Sequence, residues 1–102
     1  MAKPSVFVKL TAQPGKRDEL VAAFAPMLAA TADEAGTEIY SIHLDKADED
    51  VVWIFELYTD DDALAIHSSS DTMKAVGAGL GPLLADTVLS MATAESGKGL
   101  SL

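Results

Sequence analysis

The sequence predicts an α+β fold of the ferredoxin-like kind: a βαββαβ chain whose four-stranded antiparallel sheet carries helices on one face only. Two observations predict it. Apolar patterns of period two and of three to four residues follow one another in the order β-α-β-β-α-β. Right-handed crossovers then put both helical regions on the same side of one sheet. The third strand pattern, VVWIFELY at residues 51–58, is apolar in both of its alternating registers, so both faces of the sheet need cover. Helices can supply one cover, and a second copy of the chain is expected to supply the other.

Residues 5–11 read as the first strand, with Val6, Val8 and Leu10 on one face and Phe7, Lys9 and Thr11 on the other. Pro14 and Gly15 end it. Over residues 16–35, Leu20, Phe24, Met27, Leu28 and Thr31 recur at helical spacing. Pro26 falls inside this helix and is expected to bend it, because proline removes a backbone hydrogen bond. Gly36 is expected to close it as a C-terminal glycine. The second strand, residues 38–44, alternates Ile39, Ser41 and His43 against Tyr40, Ile42 and Leu44. The acidic connection at 45–50 has hairpin length and lacks the spaced ligands and central glycine of a calcium loop, so it reads as a solvated turn.

After the third strand, Thr59 or Asp60 can cap a helix running to about Ser68, and the further aspartates in its first turn suit the positive end of the helix dipole. Ser70 or Asp71 can cap another towards Leu84, which Gly77, Gly79, Gly81 and Pro82 are expected to leave weak or broken. The last strand spans about 87–94. The tail at 95–102 is either frayed or tucked onto a partner subunit. The sheet face expected to pack on that partner carries Trp53, Phe55 and Leu57, joined by Phe7 and by Leu89 and Met91.

One domain spanning 1–102 accounts for the length, and a chain this short gains core by oligomerising. Hydrophobic residues make up 49% of the chain, too many for a disordered one. No apolar run nears the ~18 residues of a membrane span, and MAKPSVFVKL has neither a long apolar region nor a cleavage site, which points to the cytoplasm. The absence of cysteine excludes disulfides, thiol catalysis and thiolate metal sites. A net charge of −9, with no local Lys/Arg cluster, repels nucleic acid and anionic membranes alike.

The chemistry concentrates after residue 51. Glu56 is a carboxylate inside an apolar strand, costly to bury without a partner. Tyr58 shares its face, and the following helix turns Ala63, Leu64 and His67 towards the same space. The three polar groups therefore converge, with His67 and Glu56 expected as a short charge-assisted pair that takes or shares a proton near neutral pH. A purely structural Glu–His pair fits the same pattern. Tyr58 is expected to donate to a substrate oxygen, and Phe24, Leu64 and Met73 to supply apolar wall around it. Tyr40 is a similar donor whose direction the pattern leaves open, and His43, of opposite parity, belongs to the surface or an interface. His43 with Asp45 does not complete a metal site.

The strand ending F-E-x-Y, followed by D-D-D-A-L-x-x-H-x-x-S, resembles the antibiotic biosynthesis monooxygenase family. The likeness extends through P-G-K at 14–16, E-A-G-T-x-x-Y at 34–40 and G-P-L-L at 81–84. It implies a dimeric α/β barrel in which two sheets face each other. It also implies cofactor-free oxygenation of a quinol or polyphenol, with a small aromatic molecule as substrate. The alternatives within the resemblance are an isomerase or degradative enzyme for a keto or phosphorylated metabolite, for which Lys9, Lys16 and Lys74 are a thin cationic supply, and a non-catalytic ligand-binding or stress-response dimer. In the haem-degrading branch, an asparagine, a tryptophan and a histidine hold the haem, and Val8, Tyr58 and Val76 or Gly77 stand at those places here, so no cofactor is expected.

Overall fold

The computed structural model describes residues 2–102. Its strands are β1 (Lys3–Ala12), β2 (Thr37–Leu44), β3 (Val51–Tyr58) and β4 (Leu84–Ala94). Its helices are α1 (Arg17–Ala22), α2 (Ala25–Ala32), α3 (Asp61–Ser68) and α4 (Asp71–Leu80). All pairings are antiparallel and the sheet order is β2-β3-β1-β4, the topology that the order of patterns predicts.

Strand register decides which side chains meet the helices. Val6 lies opposite Glu56, Val8 opposite Ile54 and Leu10 opposite Val52, so these six share one face. Tyr40 opposite Glu56 and Ile42 opposite Ile54 extend it onto β2. Leu20, Phe24 and Met27 from the first helical region and Val76 and Leu80 from α4 close the core over this face.

The first helical region breaks where a bend was expected. α1 ends at Ala22, and the Phe24 amide bonds back to the Val21 carbonyl in a tight turn at 3.1 Å. α2 then starts with Pro26 in its first turn, where the missing N–H costs nothing. The second region differs the other way. α4 runs unbroken through Gly77 and Gly79 and gives way only at Gly81–Leu83, a short 3₁₀ turn containing Pro82. Burial of Val76 and Leu80 holds it despite the glycines. The aspartate and serine caps form: Asp60 Oδ1 accepts from the Ala63 amide at 2.8 Å and Ser70 Oγ from the Met73 amide at 3.1 Å.

Gly36 is not the C-cap. α2 stops at Ala32, four residues earlier, and Gly36 has no positive φ. Glycine is needed there because a Cβ would overlap the Cβ of Ala63, where α3 presses against this loop.

The second sheet face is open, with Phe7 48%, Trp53 41% and Val88 52% exposed. Two expectations about it need correction. Leu57 is buried within the chain, at an end of the face where Ser5, Phe7, Phe55 and the returning tail around Leu100 surround a small depression. Leu89 and Met91 lie opposite Val8 and Val6 and so point to the helix side; β4 puts Val88, not its neighbours, on the open face. β4 is an edge strand and is exposed along most of its length. His43 is exposed beside Trp53 on the open face, bonded to Ser41 Oγ at 2.8 Å. No helix among the described residues is long and apolar enough to cross a membrane.

Candidate functional site

A cavity of about 290 Å³ lies between the helix face of the sheet and the helices. Val8, Leu10 and Ile54 form its floor, with Phe24 from the α1–α2 break and Met73 and Val76 from α4 closing over them. Its polar lining is confined to Glu56, Tyr40 and Thr87. Phe24, Met73 and Glu56 thus stand at the cavity, as their strand and helix positions predict. Tyr58, Leu64 and His67 do not line it. Tyr58 is fully buried behind the wall, Leu64 packs against the core, and Tyr40 is the tyrosine that reaches the opening.

Behind the cavity, Glu56, Tyr58 and His67 come together. The Tyr58 hydroxyl donates to Glu56 Oε1, and the Tyr58 and Tyr40 rings flank the imidazole, each with centroids 5.4 Å from it. The expected short Glu56–His67 contact is absent. His67 Nε2 stands 3.8 Å from Glu56 Oε1, beyond hydrogen-bond range. The imidazole is held from its other side instead, with Nδ1 3.0 Å from Glu34 Oε1, an atom that also accepts from Thr37 Oγ1 at 2.7 Å.

Glu34 has no role in the sequence reading. The helical period runs past it to residue 35, which makes it look like one more exposed helical acid. Because α2 ends at Ala32, Glu34 instead lies in the turn before β2, where its side chain swings under α3. The only hint was the capping and turn chemistry of E-A-G-T, which pattern alone did not connect to a histidine 33 positions away.

Burial pushes the Glu56 carboxyl above its ordinary value, with the negative Glu34 adding to the effect and Tyr58 and His67 pulling against it. Burial also raises the Tyr40 and Tyr58 phenols, helped by the neighbouring carboxylates, so both remain protonated donors at neutral pH. Among the described residues, no side-chain nitrogen or oxygen that is completely shut off from solvent lacks a hydrogen-bond partner. No group of three or more His, Cys, Asp or Glu among them is arranged to hold a metal.

A ferredoxin-like α+β domain with a small apolar cavity walled by sheet and helices is the class this geometry defines. The profile of the antibiotic biosynthesis monooxygenase family matches residues 5–78, and the chain belongs to that family. Among solved structures, a candidate antibiotic biosynthesis monooxygenase of Caulobacter crescentus is similar at 32% identity and TM-score 0.86, covering 93% of this chain and 92% of that one. A second such candidate, from Chloroflexus aurantiacus, shares the fold at 23% identity and TM-score 0.81, over 97% and 99% of the two chains. A protein of Mycobacterium tuberculosis shares it at 24% identity and TM-score 0.83, over 96% and 99%. No curated protein matches the chain significantly.

Proposed function

We propose that this chain is a cofactor-independent monooxygenase acting on a quinol or polyphenol of one to three rings. The observation that carries this reading is an apolar cavity whose polar lining includes one carboxyl of raised basicity and one protonated tyrosine. Its volume, about 290 Å³, is at the small end of ligand sites, which run from ~300 to 1,000 Å³. Glu56 takes the phenolic proton and Tyr40 donates to the resulting oxyanion, which gives electrons to oxygen. The electrons come from the substrate: a quinol plus O₂ yields a hydroxyquinone plus water. The protein's share is orientation, water exclusion and anion stabilisation. Lys and Arg are absent from the cavity lining, which counts against a phosphorylated substrate.

A homodimer through the open sheet face belongs to the same reading. Phe7, Trp53 and Val88 expose apolar surface on this face around Lys9, which lies between Trp53 and Val88.

The test is oxygen uptake by metal-free protein with hydroquinones, naphthoquinols and anthrones, above the autoxidation rate. Glu56→Gln should lower the rate by roughly 10²–10⁴-fold, the range of a general base. Uptake no faster than in buffer across the series, or an unchanged rate in Glu56→Gln, defeats the proposal.

A further inference from the structure

We propose that Glu34, His67 and Glu56 form a proton relay, with Glu34 as its solvent end, so that the cavity carboxyl has a route for protons to bulk water that does not pass through the cavity. This rests on the oxygenase reading given above. His67 is 3% exposed and Glu56 7%, so neither meets bulk water freely. Glu34 is half-buried, its side chain 16% exposed against 10% for that of Glu56, and it lines two surface depressions, one shared with Thr31 and Glu38 and one with Asp33 and Asp62. The imidazole lies between them with its two nitrogens turned to different carboxylates, Nδ1 to Glu34 at 3.0 Å and Nε2 to Glu56 at 3.8 Å.

The hydrogen bond to Glu34 sets the tautomer. An Nδ1–H donating to Glu34 leaves the Nε2 lone pair facing Glu56. Thr37 Oγ1 fixes the accepting oxygen, and the Tyr40 and Tyr58 rings fix the imidazole plane. Groups facing the ring are Glu34 from the turn before β2, Tyr40 from β2, and Glu56 and Tyr58 from β3. Closing the 3.8 Å gap takes a rotation of the Glu56 carboxyl about its last torsion, which also moves Oε1 relative to the Tyr58 hydroxyl that it accepts from.

Each transfer balances. The substrate O–H breaks as a Glu56 O–H forms; that bond breaks as Nε2–H forms; Nδ1–H breaks as a Glu34 O–H forms, and Glu34 releases the proton to water. The two hydrogens that the quinol loses overall equal the two in the water product, so the reaction has no net proton demand. The same path, reversed, brings a proton from water back to the reduced oxygen and resets the tautomer. Glu34 is a relay residue and touches no reacting atom.

Glu34→Gln keeps an acceptor for Nδ1–H but cannot carry a proton. In that variant kcat should fall roughly tenfold to a hundredfold, below the ~10²–10⁴ of a group at the substrate, with KM unchanged. Small buffer acids such as formate should restore kcat in proportion to their concentration. A kcat and pH profile equal to the parent's, or a loss that formate does not rescue, overturns the relay. A second measurement needs neither a variant nor a substrate. In ¹⁵N spectra of the parent protein at neutral pH, His67 should be protonated at Nδ1 and bare at Nε2. A dominant Nε2–H tautomer overturns the relay even where no substrate is turned over, whereas the Nδ1–H tautomer in a protein without oxygen uptake removes the oxygenase reading alone.

Discussion

Replacing Gly36 with alanine should destabilise the chain through one contact. Gly36 has an ordinary backbone conformation, so alanine brings no strain in φ, and the whole effect comes from the added methyl. That methyl overlaps the Ala63 Cβ. Carbon atoms pack at ~3.5–4.0 Å, so α3 must retreat by roughly 1 Å or more. Overpacking of this kind costs about 1–3 kcal/mol. Ala63 also supplies the amide that Asp60 caps, and the Thr59 amide donates to the Gly36 carbonyl at 2.9 Å, so retreat strains a cap worth about 1 kcal/mol as well. About 2 kcal/mol is therefore expected, or a Tm lower by roughly 8–16 °C at ~4–8 °C per kcal/mol for a domain of this size. Urea unfolding followed by circular dichroism, at one protein concentration, gives the free energy with an unchanged m value. Ala63→Gly alone should cost about 1 kcal/mol in helix propensity. The double variant should cost little more than that, a coupling of at least ~1 kcal/mol. Costs that simply add, or a Gly36→Ala effect within about 0.5 kcal/mol, would show that the contact does not hold α3 in place.

Glu56 makes stability depend on pH in a direction unusual for a carboxylate. Its folded pKa is raised above the ordinary 4.5, so its stabilising contribution is complete below that value and is lost as pH rises through the folded pKa. The stability of the parent minus that of Glu56→Gln should therefore fall as pH climbs above 4.5; a difference that rises, or stays flat, contradicts the burial argument. For the open face, Phe7→Glu should convert a dimer to a monomer by light scattering and red-shift the emission of Trp53, the single tryptophan. A parent protein that is monomeric at micromolar concentration removes the dimer.

The topology was legible because each strand carries its own alternation and each capped helix its own signal. VVWIFELY reads as a strand apolar on both faces, and β3 lies inside the sheet between β2 and β1. Where reading stopped short, the missing information was relational. Whether Leu89 or Val88 meets the helices depends on register against β1, which no single strand encodes. The pairing of His67 with Glu34 depends on α2 stopping at Ala32, and nothing in the run of apolar residues marks that end. The glycines of α4 and Gly36 show the same limit from two sides: in one place burial overrides poor helix propensity, and in the other a neighbouring methyl dictates the residue.

The position of β4 has a consequence for handling the protein. Its pairing with β1 uses one row of backbone amides and carbonyls, and as an edge strand it turns the other row outward over eleven residues. From Thr87 to Ala94 that edge carries no charge and no proline, the usual devices that keep edges from templating new strands. Chains forced together will tend to zip edge to edge, so concentrated stocks should gain β-rich aggregate from a fully folded state. A lysine at Met91 would be the direct remedy, because that exposed side chain lies off the open sheet face and does not line the cavity.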